Sequence, residues 1–255
     1  MQLANDLRHG LDAARFAREA LDLDLDAWQE TVLTTPSKRL LMNVTRQGGK
    51  STVAAAKGLH RAVFVPGSLV LMVSPSLRQS SELYRRWRAL ADRLPALALV
   101  EDTKTSCTLA NGSRVVSLPS TEATIRGYAS VDLLLFDEAS RVEDALYGAC
   151  RPMVSVSNGD IAAVTTPWGQ RGWFWEAWER GGSRWERFEV AAPDCPRISP
   201  AFLEEERQSL PPLFFESEYL CRFADTEDSV FRTEDLDKAF NPIVTPLFGA
   251  SHVSD

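Results

Sequence analysis

The segment TRQGGKST, at positions 45–52, limits what this chain can fold into more than any other stretch. Gly49, Lys50 and Ser51 match the last three positions of the phosphate-binding pattern G-x-x-x-x-G-K-[ST]. Val44 stands where that pattern has its first glycine. Because such a loop works only between a strand and a helix, the flanking sequence decides whether the match has meaning.

The flanking sequence supplies that context. SKRLLMNVT predicts a short buried strand before the glycines, and the alanine-rich KSTVAAAKGLHRAV is compatible with a helix after them. In a phosphate loop, backbone N–H groups, the start of the helix and a lysine converge on phosphate groups. We therefore expect Gly48 and Gly49 to allow the tight path. Lys50 would supply positive charge, and the Ser51 hydroxyl would ligate Mg²⁺.

Apolar runs alternate with helical patterns along much of the chain. SLVLMVSPS, VDLLLFDEAS and DIAAVTTP predict further buried strands, and LRQSSELYRRWRALADRL predicts an amphipathic helix. NDLRHGLDAARFAREAL also has helical periodicity, and Asn111-Gly112 predicts a β-hairpin. This alternation predicts an α/β fold, with a mostly parallel sheet covered by helices on both faces.

The character of the sequence changes from about Phe188. ISPAFLEEERQSL and PPLFFESEYLCRF predict two short helices, each with a proline near its start. We expect a core domain at residues 1–187, a small helical lid subdomain at 188–240 and a linker at 241–255.

Asp137 and Glu138 end the apolar run of VDLLLFDEAS. Open α/β sheets bind their ligands at the C-terminal ends of the strands, where two adjacent carboxylates are costly unless they hold a metal or do chemistry. Asp137 fits a residue that holds Mg²⁺ through water, and Glu138 fits a base that activates an attacking water. The alternative is that the pair caps the N-terminus of a helix.

Two hydroxyls, Thr165 and Thr166, follow another predicted strand in AVTTPWG. They would emerge at the same edge of the sheet as Asp137. Hydroxyls in that position can sense a terminal phosphate and transmit its loss to the next segment. The alternative is a simple turn after a strand.

Composition argues against several other kinds of protein. The net charge is −7 over 255 residues, so nucleic-acid contact would require a local basic patch. The four cysteines and three histidines are too scattered for a zinc site, and we expect the cysteines to be reduced thiols. No apolar run reaches the ~20 residues of a membrane helix, and the N-terminus lacks a signal-peptide core.

Taken in order, these motifs resemble the ATPase domain of the large terminase subunit, the DNA-packaging motor of tailed bacteriophages. The resemblance extends over nearly all of residues 26–240. DAWQETVL is similar to the adenine-recognising segment of that family, and TRQGGKST to its variant loop R-Q-x-G-K-[ST], which lacks the first glycine. LLLFDEAS resembles its Asp-Glu strand and TTPWG its coupling motif. ISPAFLEEERQSL with FFESEYLCRFADTEDSVF resembles its lid.

The resemblance implies a P-loop (ASCE/RecA-like) ATPase that uses ATP and Mg²⁺ to translocate double-stranded viral DNA into a procapsid. Gln29 would contact adenine, and Thr165 and Thr166 would respond to the γ-phosphate. The loop residues expected to bind the nucleotide are Arg46, Gln47, Gly48, Gly49, Lys50, Ser51 and Thr52.

The same resemblance implies the partners and the location of the protein. We expect the portal protein and the small terminase subunit as partners, and a homo-oligomeric ring when the motor is active. The isolated chain is expected to be a monomer. It would act in the cytoplasm of the infected bacterial host, at the procapsid portal, without membrane contact or secretion.

Phosphoryl transfer also calls for positive charge on the transition state, and two arginines are candidates. Arg46, in the phosphate loop, would act within its own subunit. Arg126, in TIRGYAS, lies in a segment that resembles the region from which ring-forming terminases reach into a neighbouring site. We favour Arg126 as a finger acting in trans and Arg46 as a sensor in cis, although the sequence leaves both assignments open.

Two further segments have alternative interpretations. The arginines of LRQSSELYRRWRALADRL could hold DNA phosphates, or they could form a solvated face opposite Leu83, Trp87 and Leu90. GWFWEAW could stack on bases, but the spacing of Phe174 and Trp178 favours a core contact between the sheet and the lid.

Large terminases usually carry a second, nuclease domain, and the 15 residues after 240 are too few to supply one. We therefore expect no DNA cleavage by this chain, which would be either a motor domain cut from a longer protein or a naturally shortened one. The rival interpretations are a helicase-like translocase, a ring component that binds ATP without turnover, and a small-molecule kinase. Glu138 argues against the second, because binding alone needs no water-activating carboxylate.

Overall fold

The computed structural model describes residues 2–119 and 127–224. The α-helices in these ranges are α1 Gln2–Leu11, α2 Ala13–Glu19, α3 Ala27–Thr34, α4 Lys50–Phe64, α5 Leu77–Ala91, α6 Asp144–Cys150, α7 Gly172–Arg180, α8 Pro200–Ser209 and α9 Pro212–Leu220. The strands are β1 Arg39–Val44, β2 Leu69–Ser74, β3 Leu99–Asp102, β4 Ser106–Leu109, β5 Arg114–Pro119, β6 Leu133–Asp137, β7 Asp160–Thr165 and β8 Glu186–Val190.

The strands form one sheet in the order β3-β4-β5-β2-β6-β7-β1-β8. From β5 to β8 in that order every neighbouring pair is parallel, whereas β4 is antiparallel to both β5 and β3. The mostly parallel sheet and the hairpin at Asn111-Gly112 are therefore confirmed. Because β7 lies between β1 and β6, the C-terminal ends of these three strands meet at one edge of the sheet.

Alternate residues of each central strand belong to two different hydrophobic cores. In β1, Leu40 and Met42 pack on the face that carries α2, α4 and α5, whereas Leu41 packs on the opposite face. That opposite face is covered by α6 and α7, with Phe136 of β6 against Trp173. Strands that are buried on both faces explain the continuous apolar runs in the sequence. They also confirm helices on both sides of the sheet.

The N-terminal helical pattern forms two helices rather than one. α1 ends at Leu11, and Asp12 caps α2 by accepting a hydrogen bond from the Arg15 N–H at 2.9 Å. Aspartate at an N-cap satisfies a backbone donor that a helix leaves unpaired, so it favours a new helix start within an otherwise periodic stretch.

The sequence pattern does not predict β8, which pairs in parallel with β1. Its residues are mostly half-buried, with full burial only at Val190. The domain boundary expected at residues 187 and 188 thus falls inside a strand of the main sheet.

Both predicted lid helices are present as α8 and α9, and each has a proline in its first turn. Ala192, Phe215 and Tyr219 form a small core between them, with Ile198 and Leu203 packed against it. The remainder of the expected lid, residues 225–240, and the expected linker at 241–255 lie outside the described residues.

No helix within residues 2–119 or 127–224 has the length and apolar character needed to cross a membrane. All four cysteines lie in the described part of the chain, where each is a free and buried thiol.

Candidate functional site

The phosphate-loop segment connects β1 to α4, as its sequence predicts. Gly49 has a φ of +90° and Gln47 a φ of +63°, both in the left-handed region that favours glycine. Gly48 is required for another reason, because a Cβ there would lie 2.8 Å from Val44 Cγ1 and 3.1 Å from the Thr45 carbonyl oxygen. The tight path of the loop therefore depends on both glycines.

Val44, in place of the first glycine of the common pattern, is the last residue of β1 and is fully buried. It pairs with Val190 of β8, and the Thr45 N–H donates to the Val190 carbonyl at 2.9 Å. The strand thus continues through the position where the common pattern has a glycine, and a buried side chain fits there.

The C-terminal end of β6 places two carboxylates next to the loop. Lys50 Nζ lies 3.6 Å from Glu138 Oε1, and the Ser51 hydroxyl donates to Asp137 Oδ1 at 3.4 Å. Glu138 has a φ of +49°, and its side chain makes no capping hydrogen bond to the 3₁₀ turn that follows. The structure therefore does not support the capping alternative, since the Glu138 carboxylate faces the loop lysine. Left-handed backbone at a residue other than glycine is characteristic of functional sites.

Asp137 is buried beneath the Ser51 hydroxyl. Burial, and then the neighbouring charge of Glu138, raises the pKa of Asp137 to about 6. Lys50 and the hydrogen bonds from the Glu138 backbone and Ser51 lower that pKa and oppose the effect only in part. A carboxyl group perturbed in this way beside a phosphate loop marks a candidate for metal binding or catalysis.

The Thr165 hydroxyl and the Thr166 carbonyl of TTPWG are bound to the turn that follows Glu138. The Ser140 and Thr165 hydroxyls lie 2.7 Å apart, and Ser140 also donates to the Thr166 carbonyl at 2.8 Å. Both threonines are buried. This cluster joins the end of β7 to the turn that follows Glu138. Contact of Thr165 or Thr166 with a phosphate remains a prediction.

A cavity of about 480 Å³ opens over the loop. Predicted site residues from three distant segments of the chain line this cavity. They are Gln29, Arg46, Gln47, Gly49, Lys50, Ser51, Thr52 and Glu138. The apolar side chains that line the cavity are those of Leu23 and Leu25. Two arginines that the sequence did not assign to this site, Arg86 and Arg197, also line it.

The amino-acid sequence matches a family model described as "Terminase large subunit, T4likevirus-type, N-terminal" over residues 41–238. The chain belongs to this family. The large terminase subunit of Escherichia phage T5 is 28% identical over 219 residues, which are 82% of this chain and 48% of that protein. The chain thus spans about half the length of the curated relatives it matches.

Solved terminase structures have the same fold. The large terminase ATPase domain of Thermus phage P74-26 gives a TM-score of 0.71 at 21% identity, and the match covers 81% of this chain and 97% of that one. The large terminase of the thermophilic bacteriophage D6E, in complex with ADP, gives 0.66 at 14% identity, covering 79% of this chain and 54% of that one. At these identities the likeness confirms the expected RecA-like fold.

In this terminase chain, Gln29 reaches the loop from α3 and is buried. Its Oε1 accepts from the Asp26 N–H at 3.0 Å and from Arg197 Nη2 at 3.2 Å. Its Nε2 lies over Gly49, only 2.5 Å from where a Cβ of that residue would be. The side chain expected to contact adenine is therefore held directly beside the phosphate loop.

Of the two candidate arginine fingers of this terminase chain, Arg46 lines the cavity, and its side chain is 60% exposed. Its Nη1 lies 4.0 Å from Glu218 Oε2 of α9, and the other oxygen of that buried carboxylate lies 3.8 Å from Arg141 Nη2. The Arg141 guanidinium in turn stacks on Trp168 of TTPWG at 4.0 Å. The other candidate, Arg126, lies outside the described residues.

The arginines of α5 mostly have partners within the protein. Arg88 pairs with Asp92 and Asp102, and Arg85 pairs with Glu82. Arg93, just past the end of the helix, donates to main-chain carbonyls that follow α2. Arg86 instead donates to the Thr52 hydroxyl at 2.9 Å, in the cavity over the loop. Leu83, Trp87 and Leu90 are buried against the sheet, so the apolar side of the helix is confirmed.

The aromatic segment GWFWEAW forms α7. Trp173 stacks on Tyr147 with ring centres 4.0 Å apart, and Phe174 is buried beside Trp178 and Phe223. The core interpretation is therefore confirmed for Trp173 and Phe174.

Proposed function

We propose that this chain is the ATP-hydrolysing motor domain of a large terminase subunit, which drives double-stranded viral DNA into a procapsid. The observation that supports this most directly is the pairing of Lys50 with Glu138 and of Ser51 with Asp137 at one sheet edge. The names of similar solved structures, which include an ATPase domain and a complex with ADP, point in the same direction.

The loop residues would bind the phosphates of ATP through the N–H groups at the start of α4 and through Lys50. In the structure Lys50 is paired with Glu138. We infer that Lys50 turns to the phosphates when nucleotide binds, which releases the Glu138 carboxylate. Glu138 then accepts a proton from water and orients its oxygen for attack on the γ-phosphorus.

The residues present fit a Mg²⁺ ion. The part of the chain that the structure describes has no group of three or more His, Cys, Asp or Glu side chains that could hold a metal. Mg²⁺ at a nucleotide needs no such group, since it takes one or two protein oxygens besides phosphates and waters. The Ser51 hydroxyl and the Asp137 carboxylate, 3.4 Å apart, would supply those oxygens. Mg²⁺ there would neutralise charge on the β- and γ-phosphates.

We further propose that a neighbouring subunit completes the site with Arg126, while Arg46 senses the γ-phosphate within its own subunit. An arginine finger can contribute ~10³–10⁵ in rate. The active form would be a homo-oligomeric ring at the procapsid portal in the host cytoplasm, with the portal protein and the small terminase subunit as partners. The nuclease step is not assigned to this chain.

Substitution of the proposed base tests this function. Glu138→Gln keeps the shape of the side chain but removes the proton acceptor, so hydrolysis should fall by about 10²–10⁴. ATP affinity should be retained or raised, because Lys50 loses the carboxylate that competes with phosphate. Phosphate release and equilibrium ATP binding are measured on the same preparations.

Glu143→Gln is the matched control, because Glu143 follows the same strand but does not line the cavity. Equal hydrolysis by wild type and Glu138→Gln would contradict the proposed role of Glu138. A wild-type chain that binds ATP without hydrolysing it would favour the structural ring component instead.

A further inference from the structure

Arg197 lies between a 3₁₀ turn at Ala192–Asp194 and the lid helix α8, far along the chain from the phosphate loop. Its guanidinium nevertheless contacts four oxygens around the cavity. Nη1 donates to Asp26 Oδ2 at 2.7 Å and to the Gly48 carbonyl at 3.3 Å. Nη2 donates to Gln29 Oε1 at 3.2 Å and to the Asp24 carbonyl at 3.4 Å.

These contacts fix the orientation of the Gln29 carboxamide. The Asp26 N–H and the Arg197 guanidinium can only donate, so the atom that both approach must be the carboxamide oxygen. That oxygen has two lone pairs, and two donors occupy them. The NH₂ group of Gln29 is left on the other side, over Gly49 and facing the cavity.

Arg197 also joins Gln29 to the segment that carries the apolar residues of the cavity, because the same guanidinium nitrogen donates to Gln29 Oε1 and to the Asp24 carbonyl. Lys50, Ser51 and Glu138 mark the phosphate end. Leu23 and Leu25 line the cavity near Gln29, where an apolar surface suits a planar base better than a phosphate. Arg197 therefore acts at the base end, and it does so from the lid side of the molecule.

We propose that Arg197 is a positioning residue that holds Gln29 as a hydrogen-bond donor to the base of the nucleotide. This inference rests on the proposed function. It implies that the contribution of the base to nucleotide affinity requires Arg197, which lies in the segment that leads into the lid. Arg197 acts through Gln29, so its loss should have little effect once Gln29 is absent.

The test compares ATP with inorganic tripolyphosphate, which carries the phosphates without a base, by calorimetry on the full chain with Mg²⁺. Arg197→Ala should weaken ATP binding about tenfold, roughly the loss of one hydrogen bond that depends on a charged group. Tripolyphosphate affinity should change less than about twofold. Gln29→Ala should show the same split, and the double variant should bind ATP no more than about twofold more weakly than Gln29→Ala alone.

Arg222→Ala is the control, because Arg222 follows α9, is exposed and pairs only with Glu216 among the ion pairs of the described residues. If Arg197→Ala does not fold, the same two affinities are measured for Arg197→Gln. Equal weakening of both ligands, or additive effects of Arg197 and Gln29, would overturn the inference and leave the proposed function intact. A wild-type chain that binds neither ligand would overturn both.

Discussion

Asp137 and Glu138 are adjacent in the chain, but their side chains have different surroundings. Asp137 is buried beneath Ser51, and its pKa is raised to about 6. Glu138 is partly exposed and faces Lys50. Two carboxyl groups whose environments differ in this way can take separate roles. The roles proposed for them follow their contacts, with Asp137 beside the Ser51 hydroxyl as the metal-binding residue and Glu138 beside Lys50 as the base.

The raised pKa of Asp137 makes stability depend on pH. Protonation of Asp137 stabilises the folded chain, because the pKa of about 6 in the folded chain exceeds the ordinary pKa of 3.8. This contribution to the free energy of unfolding is complete below about pH 4 and is lost as the pH rises through about 6. Asp137→Asn has no charge to bury. It should therefore be more stable than wild type at pH 7.5, by up to about 3 kcal/mol at ~1.4 kcal/mol per pKa unit.

Urea unfolding in EDTA at pH 7.5 and pH 4.5 measures this difference, which should shrink at the lower pH. EDTA keeps divalent ions from offsetting the cost of the buried charge. An Asp137→Asn chain that is less stable than wild type at pH 7.5 would contradict the raised pKa of Asp137.

Gly48 gives a prediction about packing rather than charge. In Gly48→Ala the new Cβ would meet Val44 Cγ1 at 2.8 Å inside a buried strand end, so the loop must shift. We expect a loss of about 1–3 kcal/mol in unfolding free energy, together with weaker ATP binding.

Gly148→Ala is the control for that substitution. Gly148 lies in α6, and a Cβ added there would meet no atom within 4 Å among the described residues outside its own helix and chain neighbours. This substitution should be neutral or stabilising, because alanine favours a helix over glycine. Equal effects of the two substitutions would rule out the steric explanation.

Some site residues were predictable from the sequence, and others were not, for a physical reason. Lys50, Ser51, Asp137 and Glu138 belong to short local patterns whose chemistry fixes their spacing. Arg197 is different because its partners come from segments about 150 and 170 positions earlier in the chain. No local pattern records such a contact, and the same holds for Arg86, which the sequence suggested for DNA but which contacts Thr52.

Of the two lid helices, α9 is the one that is hydrogen-bonded to the phosphate loop and to TTPWG. The Glu218 carbonyl accepts from the Thr45 hydroxyl and the Arg46 N–H, both at 3.0 Å. The Ser217 hydroxyl donates to the Pro167 carbonyl of TTPWG at 2.7 Å. A displacement of the phosphate loop would therefore act directly on this helix.

The Glu218 carboxylate offers a test of that connection. Glu218→Gln keeps the main-chain hydrogen bonds but removes the negative charge that faces Arg46 and Arg141. Because the site becomes more positive, ATP should bind about two- to fivefold more tightly. Glu216→Gln is the control, since Glu216 lies on the same helix but pairs with Arg222. Unchanged or weaker binding in Glu218→Gln alone would show that this carboxylate does not restrain Arg46.

Strands buried on both faces could be predicted from the sequence, whereas a partly exposed edge strand could not. β2, β6 and β7 are continuous apolar runs because both of their faces are covered. β8, ERFEV, lies at the edge of the sheet beside β1 and buries only Val190 fully, so its pattern resembles that of a loop. The sequence pattern did not predict the break between α1 and α2, because the helical periodicity continues through Asp12. The break is set instead by Asp12, which caps the N-terminus of α2.

Over the whole molecule, a net charge of −7 contrasts with the cations gathered at the cavity. Arg46, Lys50 and Arg86 line it, whereas the fourth cation there, Arg197, is paired with Asp26. Asp24 and Glu138 also belong to the lining. Local positive charge of this kind favours a polyphosphate ligand despite the acidic surface elsewhere.

The proposed ring predicts that a neighbour supplies Arg126. Arg126→Ala should lower the hydrolysis rate by about 10³ or more at high protein concentration, while ATP binding by the isolated chain is retained. Mixing this variant with Glu138→Gln should restore part of the activity, because each subunit then supplies what the other lacks. Full activity in Arg126→Ala alone would transfer the role to Arg46, and low activity that mixing does not restore would contradict the supply of Arg126 by a neighbouring subunit.

The most direct measurement is phosphate release per molecule of wild-type chain, with Mg²⁺ and ATP, across a wide range of protein concentration. The proposed function predicts hydrolysis whose rate per molecule rises steeply with concentration, as neighbouring subunits complete each site. A flat rate would mean that each subunit is complete by itself. Hydrolysis that is undetectable at every concentration, although ATP binds, would contradict the proposal that this chain is a motor ATPase.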